Sequence, residues 1–246
     1  MSENEIRTNG KEPLVQVKQV VKSFPVGGGM ITVLKGISFE VKIGEFVTIV
    51  GPSGNGKSTL LNMITGIDRP TDGEVVVNGL EIHKMTENQL AAWRGQQVGI
   101  IFQFFQMLPA LSLLQNIILP MDFAKKYTPR ERHERAMHLL DTVDLVDQAN
   151  KLPSMVSGGQ QQRAAIARAL ANDPELIVAD EPTGNLDTRN ANDVFDLFVK
   201  LIEDGKTVVM VTHDKELARR IPRVVEIIDG KITRDEFVGG AIWTGY

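Results

Sequence analysis

Residues 51–59 read Gly-Pro-Ser-Gly-Asn-Gly-Lys-Ser-Thr, which matches the pattern G-x-x-x-x-G-K-[ST] of a phosphate-binding loop. Residues 46–50, just before the loop, form a short run of mostly apolar and β-branched residues, as in a buried parallel strand. After the loop, apolar residues recur at helical spacing, so a helix is predicted from Lys57 to Thr65. An ordinary glycine-rich turn is the alternative, but a Lys-Ser pair placed between a strand and a helix favours nucleotide binding.

Each residue type in this loop has a physical reason to be there. Glycine permits backbone angles and a close approach of phosphate oxygens that a Cβ would block. Consecutive N–H groups and the helix N-terminus favour negative charge. Lys57 is predicted to reach the β- and γ-phosphates, and the Ser58 hydroxyl to bind Mg²⁺. The predicted ATP-binding residues of the loop are Gly51, Pro52, Ser53, Gly54, Asn55, Gly56, Lys57, Ser58 and Thr59.

Length and composition limit the class of protein. The chain has 246 residues, enough for one large domain or two small ones. Its 27 basic and 31 acidic residues give a net charge of −4, which argues against broad binding to nucleic acid. Without cysteine, disulfides and thiolate metal sites are excluded, in keeping with a reducing cytoplasm.

Residues 1–11 are polar, so no signal peptide is predicted. The apolar stretch 98–121 is interrupted by glutamines and a proline, which predicts a strand, a loop and a helix rather than a membrane span.

Local patterns predict several individual elements. Separate strand-like runs are expected at 31–34 and 37–41, and a buried strand at 207–211. Capping boxes at Thr86 and Thr128 predict the starts of two helices, the second with proline at its first position.

The order of apolar patterns predicts the fold class. Strand-like runs alternate with helical ones after the phosphate loop, the chain ends are β-rich, and the centre is helical. This order predicts an α/β P-loop NTPase with a mainly parallel core sheet, an antiparallel β subdomain and an inserted helical subdomain. We expect one domain over residues 13–234, with the helical subdomain at about 104–172. Residues 1–12 and 235–246 are expected to be loosely held ends.

Two carboxylates follow an apolar strand. Residues 176–179 are continuously apolar and lead directly into Asp180 and Glu181. Because ligands of parallel sheets bind at the carboxyl ends of the strands, Asp180 is predicted to hold Mg²⁺. Glu181 beside it is placed to act on the water that attacks the γ-phosphate. A solvated acidic turn before Pro182 is the alternative.

A second glycine-rich helix start occupies residues 157–160. Ser-x-x-Gln is by itself a capping box, which is the simpler interpretation. Two glycines at a helix start also form an exposed anion site, where a hydroxyl, N–H groups and the helix dipole converge. One molecule's Ser157 helix would then close on the nucleotide held by another molecule's phosphate loop.

The order of these motifs over residues 14–232 resembles an ABC-type ATPase. The resemblance implies that Phe24 stacks on adenine and that Gln103 contacts Mg²⁺ and the attacking water. It also implies that Glu181, His213 and Gln103 are catalytic and that Asp187 lies in the D-loop at a dimer interface. The signature residues that would contact ATP in trans are Ser157, Gly158, Gly159 and Gln160, and the Mg²⁺ ligands are Ser58, Gln103 and Asp180.

The chain departs from the family pattern at three positions. Phe24 stands where tyrosine is commoner, and a phenyl ring still stacks; a core aromatic is the alternative. Val156 stands where leucine usually opens the signature, outside the phosphate contacts. Asn55 stands where serine is frequent, and its backbone N–H is expected to serve. For His213, a structural role is the alternative.

Residues 184–187 and 102–109 narrow the resemblance to the macrolide-export and lipoprotein-release branch, which includes a cell-division member. The implied partners are an integral membrane permease and a second copy of the chain around ATP, with no nucleic acid. The implied location is the cytoplasmic face of the membrane, reached through the permease. Near Gln103 to Asn116, the residues expected either to receive a partner's helix or to pack in the core are Phe104, Phe105, Met107 and Leu108.

Three other functions compete with a transporter subunit. A mechanical or regulatory ATPase of the division type would use the same machinery, and the sequence does not separate the two. A soluble ABC ATPase acting on DNA or ribosomes is disfavoured, because only about a hundred residues separate Lys57 from Ser157, without heptads, and the chain has one ATPase unit. A P-loop kinase is disfavoured by the Ser-Gly-Gly-Gln stretch.

Overall fold

The computed structural model describes residues 13–238. The strands are β1 (Val15–Val26), β2 (Gly29–Val41), β3 (Phe46–Val50), β4 (Asp72–Val77), β5 (Leu80–Glu81), β6 (Val98–Ile101), β7 (Leu176–Asp180), β8 (Thr207–Val211), β9 (Arg223–Ile228) and β10 (Lys231–Phe237). The α-helices are α1 (Lys57–Ile64), α2 (Glu87–Gln97), α3 (Leu113–Ala124), α4 (Pro129–Thr142), α5 (Gly158–Ala169), α6 (Thr188–Glu203) and α7 (Lys215–Arg220). Short 3₁₀ turns lie at Ile82–Lys84, Val146–Gln148 and Pro153–Met155.

The strands form two sheets. The six-stranded sheet has the order β10-β9-β3-β8-β7-β6, and all neighbouring strands in it are parallel except β10, which is antiparallel to β9. The four-stranded sheet has the order β2-β1-β4-β5 and is antiparallel throughout. The phosphate loop follows β3, which pairs with both β8 and β9. The predicted fold class is therefore confirmed.

Two apolar cores cover the two faces of the parallel sheet. On one face, alternate residues such as Phe46 pack with α6, where the Phe46 and Phe195 rings stack at 5.9 Å between centroids. On the other face, Val47 and Ile49 pack with α1 and the antiparallel sheet. Because both faces of β3 are buried, its sequence is apolar at nearly every position. This burial holds the start of α1 firmly at the end of the strand.

The helices α3, α4 and α5 form the predicted helical segment. Capping boxes open α2 at Thr86 and α4 at Thr128, as predicted, and Pro129 is the first residue of α4. A further capping box at Ser112 opens α3. The three helices share the apolar core that covers the α6 face of the sheet. Their packing fixes the start of α5, which carries Ser157.

Two boundaries differ from the prediction. The separate strand-like runs 31–34 and 37–41 belong to one continuous strand, β2. The loose C-terminal tail was expected to begin at residue 235. This boundary is too early, because β10 pairs with β9 as far as Phe237. Arg223 holds this end in place by a hydrogen-bonded ion pair with Asp235. The expected flexible end at 1–12 and the rest of the tail, 239–246, lie outside the described residues. Within residues 13–238, no helix is both long and apolar enough to cross a membrane.

Candidate functional site

The phosphate loop lies at the end of β3 in close contact with neighbouring strands, which leaves little space for side chains at two of its glycines. Gly51 has φ +144°, and a Cβ there would lie less than 3.0 Å from the carbonyl oxygen of Ile227. Gly56, at the start of α1, has φ +94° and would place a Cβ less than 3.0 Å from Leu34. Both positions therefore require glycine for conformation and for space. The loop is wedged between β9 and β2.

Lys57 lies across the loop. Its side chain is nearly buried, with 8% of the residue exposed, and its Nζ donates hydrogen bonds of 2.9 Å to the carbonyl oxygens of Gly51 and Pro52. An ammonium group has three donors, so two are engaged by the loop itself. These two bonds place the charge at the loop. The residue type and the position suit binding of a phosphate group.

Ser58 and Asp180 meet between α1 and β7. The Ser58 hydroxyl donates a 3.1 Å hydrogen bond to Asp180 Oδ1, although the two residues are far apart in sequence. Burial raises the pKa of Asp180 above its ordinary value, and the Ser58 hydrogen bond and the Lys57 charge oppose that shift. A hydroxyl and a partly buried carboxylate are hard oxygen ligands of the type that Mg²⁺ prefers. The structure thus brings together two of the three predicted metal ligands.

Glu181 and His213 form a second hydrogen-bonded pair beside the first. His213 Nδ1 lies 2.7 Å from Glu181 Oε2, and the His213 backbone N–H donates to the same oxygen at 3.2 Å. Because a carboxylate accepts this bond, Nδ1 carries the hydrogen. Glu181 has φ +50°, a backbone conformation unusual for a residue with a side chain, and its N–H donates to Val211 O. The carboxylate is therefore aimed by the turn that follows β7.

Gln103 lies beside this turn without a bond to the acidic residues. Its backbone oxygen accepts a 3.0 Å hydrogen bond from the Asn185 side chain. This contact joins the loop after β6 to the loop after β7. The Gln103 side chain makes no hydrogen bond within residues 13–238. The structure thus places Gln103 next to the predicted catalytic pair but does not link it to them.

The start of α5 is stabilised locally. The Ser157 hydroxyl oxygen accepts from the Gln160 N–H at 3.3 Å, and Gln160 Oε1 accepts from the Ser157 N–H at 2.9 Å. The simpler capping-box interpretation is therefore correct as a description of the single chain. Between residues 13 and 238, no hydrogen bond joins Ser157 or Gln160 to the phosphate loop. The N–H groups of Gly158 and Gly159 have no partner within the described part of the chain, as is usual in a first helical turn.

Asn190 connects this helix start to the D-loop. Asp187 caps α6 by accepting hydrogen bonds from the Asn190 N–H at 2.9 Å and from its side-chain amide at 2.6 Å. These bonds lower the pKa of Asp187. The Asn190 oxygen lies so close to Gly159 that a Cβ on Gly159 would fall within 3.0 Å of it. The predicted signature and D-loop residues are thus in contact through a side chain that the sequence analysis did not select.

Phe24 lies on β1, in the antiparallel sheet, and is 36% exposed. The Lys22 ammonium group lies 4.9 Å from the centre of its ring. The ring is absent from both apolar cores described above. The residue is therefore partly accessible at the surface.

The Asn55 side chain was also missed by sequence reasoning, which considered only its backbone. Its Oδ1 accepts a 2.6 Å hydrogen bond from the Asp229 N–H, and its amide nitrogen donates to Pro52 O and Ser53 O. Asn55 therefore ties the phosphate loop to the turn between β9 and β10. Neither periodicity nor spacing signals this contact, because its partner is 174 residues away.

Known proteins are similar to this chain over most of its length. The family described as "ABC transporter" matches residues 34–184. The lipoprotein-releasing system ATP-binding protein LolD of Aquifex aeolicus is 46% identical over 217 residues, which cover 88% of this chain and 93% of LolD. The macrolide export ATP-binding/permease protein MacB of Agrobacterium fabrum is 44% identical over 225 residues, which cover 92% of this chain and 35% of MacB.

A solved structure agrees with the sequence relatives. The ATP-binding cassette MJ0796 of Methanocaldococcus jannaschii, in a dimeric post-hydrolysis state bound to ADP and Pi, is 43% identical with a TM-score of 0.86. The match covers 92% of this chain and 99% of that one. The chain therefore belongs to the ABC transporter family, as an ATP-binding and ATP-hydrolysing subunit.

Proposed function

We propose that two copies of the chain associate head to tail around two ATP molecules, each ATP lying between Lys57 of one copy and Ser157 of the other. The observation that carries this proposal is that the predicted ATP-binding residues fall into two separate groups within one chain. Lys57, Ser58, Asp180, Glu181 and His213 form one cluster within the chain. Within residues 13–238, the start of α5 makes no hydrogen bond to that cluster. Support comes from the similar cassette MJ0796, which was solved as a dimer.

The residues of the cluster fit Mg²⁺ as well as ATP. Ser58 and Asp180, which offer a hydroxyl and a partly buried carboxylate joined by a hydrogen bond, would hold the ion. The amide oxygen of Gln103, on the neighbouring loop, would be the third ligand. When bound, Mg²⁺ neutralises charge on the phosphate oxygens. Glu181 accepts the proton of the attacking water, and His213 holds the Glu181 carboxylate in position.

At the edge of the site, Phe24 offers its exposed ring to the adenine. Its position on the antiparallel sheet separates adenine recognition from the phosphate chemistry at the ends of the parallel strands. In the other copy, Ser157, Gly158, Gly159 and Gln160 would bring a hydroxyl and N–H groups to the γ-phosphate. Loss of that phosphate removes the shared contact, so hydrolysis lets the two copies separate.

We infer that the surface after β6 binds a permease, which keeps the chain at the cytoplasmic face of the membrane. Phe104 is 70% exposed and Leu108 is also exposed. Phe105 and Met107 are partly buried, and Met107 packs against the apolar core. The two expected roles, receiving a partner's helix and packing in the core, thus fall to different residues of one segment. Phe104 and Leu108 are accessible to a partner, whereas Met107 joins the segment to the helical core.

The relatives favour a transporter over a purely mechanical ATPase. One is named for lipoprotein release and another for macrolide export. The resemblance to their branch covers the residues around Gln103 and the D-loop. We therefore propose that ATP-driven closing and opening of the dimer is passed to a permease partner through residues 103–108, called here the Gln103 segment. We expect no nucleic-acid ligand.

The test is capture of the partner from membranes. The tagged Glu181→Gln variant is incubated with detergent-solubilised membranes, ATP and Mg²⁺, because loss of the base should trap the ATP-bound dimer. We expect an integral membrane protein in stoichiometric amount, and its extracytoplasmic part will separate transport from mechanical work. The control is Glu181→Gln combined with Lys57→Ala, which should not reach the ATP-bound state. Capture of ribosomes or nucleic acid would overturn the permease proposal.

A further inference from the structure

A pocket of about 380 Å³ lies where β6 meets α2, α3 and α5. Its lining includes Phe102 and Gln106, on either side of the exposed Phe104, and Pro120 of α3. Its size is that of a site for a small ligand or a few side chains. The pocket is therefore continuous with the surface to which we assign the permease.

Among the residues that the structure describes, two arginines and no acidic residue line this pocket. Arg94 donates to Gly66 O at 2.8 Å, and Arg168 donates to Gln106 O at 2.6 Å and to Phe105 O at 3.0 Å. Neither guanidinium has a carboxylate within 4.0 Å in the described part of the chain. Carbonyl oxygens satisfy some of their donors but do not neutralise their charges.

Arg223 shows how the same fold treats another partly buried arginine. Arg223 lies between Glu45 and Asp235, and its pKa is raised, chiefly by the hydrogen bond to Asp235. By contrast, burial lowers the pKa of Arg168, and no carboxylate offsets the cost. A partly buried cation without a counterion favours an anionic neighbour.

Acidic residues close to the pocket in sequence are engaged elsewhere. Asp68 is ion-paired with Lys22, and Glu175 accepts a 3.3 Å hydrogen bond from the Asn78 side chain. Asp173 follows the pocket residue Asn172 and forms an ion pair with Lys206 at 2.7 Å. Asp122, two residues after Pro120, is ion-paired with Arg132. The chain therefore supplies no counterion of its own to Arg94 and Arg168 within residues 13–238.

We propose that this pocket receives the carboxylate of a Glu or Asp side chain from a cytoplasmic helix of the permease, with Arg94 and Arg168 as its cationic partners. The inference rests on the proposed permease partner and specifies its chemistry. The exposed apolar residues Ile67, Phe104 and Phe123 favour a helix over a free anion, since Phe123 is 79% exposed one turn after Pro120. An amphipathic helix with one acidic residue matches an apolar rim around a cationic pocket.

The arrangement also gives the acidic residue a route to the nucleotide site. Arg168 holds the carbonyl oxygens of Phe105 and Gln106, two and three residues after Gln103. Arg168 itself belongs to α5, the helix that begins with the signature residues. A carboxylate bound at Arg168 therefore contacts a residue that joins the Gln103 segment to the signature helix.

The test uses charge reversal in the Glu181→Gln background. Arg94→Glu should reduce capture of the membrane protein about tenfold or more, because it places like charges together. The matched control is Lys231→Glu, an exposed residue on β10, at the opposite edge of the six-stranded sheet from β6. Arg94→Gln, a milder change, is measured in parallel with thermal melting, so that a folding defect is recognised.

The acidic partner is then located in the captured protein. Each Asp and Glu of its cytoplasmic segments is changed to Lys, and we expect one such change to restore capture by Arg94→Glu. Capture by Arg94→Glu and Arg94→Gln equal to that of Lys231→Glu would overturn the inference while leaving the permease proposal intact. A loss that no charge reversal restores would also overturn it. Failure of Glu181→Gln itself to capture any membrane protein would overturn the permease proposal and this inference together.

Discussion

The phosphate loop and the start of α5 are both glycine-rich turns into a helix, yet the chain treats them differently. The loop is fixed by contacts with distant parts of the fold, through Gly51 against Ile227 and Asn55 bonded to Asp229. The start of α5 is stabilised mainly by its own capping box between Ser157 and Gln160. The difference supports the proposal that one half of the ATP site is built within the chain, while the other half is contributed by a second copy.

The largest expected effect is a loss of ATP hydrolysis that leaves both halves of the ATP site able to bind. Glu181→Gln removes the proposed proton acceptor but keeps a side chain that can bond to His213. We expect ATP turnover to fall at least about a hundredfold, with ATP still bound and a dimer accumulating. Phosphate release and light scattering measure the two effects. Near-normal turnover would show that Glu181 is not the base.

The next prediction concerns the half of the ATP site that lies within one chain. Lys57→Ala removes the charge held across the loop by Gly51 O and Pro52 O. We expect ATP affinity to fall about 10- to 100-fold, since one or two charge-assisted hydrogen bonds are lost. Calorimetry of ATP binding in the presence of Mg²⁺ checks this expectation. Undiminished affinity would contradict the phosphate role of Lys57.

A third change acts on the half presented to the other copy. Gly159→Ala forces a methyl group against the Asn190 oxygen, and overpacking of this kind costs about 1–3 kcal/mol. In the Glu181→Gln background we expect ATP-driven dimerisation to weaken about tenfold, with ATP binding to the single chain retained. Adding Asn190→Ala removes that oxygen and should restore part of the dimerisation. If Gly159→Ala dimerises as well as its parent, the contact between signature and D-loop is not important for closure.

The smallest expected effect concerns stability rather than activity. The pKa of Asp180 is raised by burial, so its ionised form destabilises the fold at neutral pH, and that cost disappears as the pH falls through the folded-state pKa. Asp180→Asn should therefore raise the melting temperature at pH 7 by about 2 °C without nucleotide or metal. The difference should shrink as the pH approaches 4. A variant that melts below the parent at pH 7 would contradict this account.

Much of the site was predictable because each motif lies at a strand end or a helix start. The periodicity placed β3, β7 and β8 within a residue or two of their observed bounds. Parallel strands bring their carboxyl ends to one edge, and Ser58 and Asp180 accordingly meet there. In contrast, β2 was divided into two runs because Lys35 and Gly36 interrupt its apolar pattern. Pairing with β1 on both sides of that interruption keeps the strand continuous.

The sequence by itself determined the residue types of the phosphate loop, the acidic strand end and the signature, and with them the α/β class and the chemistry of the site. Only the tertiary structure decided that Asn55 braces the loop, that Asn190 joins the signature to the D-loop, and that Arg94 and Arg168 share an acid-free pocket. The physical reason is the range of the interactions. Motifs and periodicity arise from neighbours within a few residues, whereas these contacts join segments that only packing of the two cores brings together.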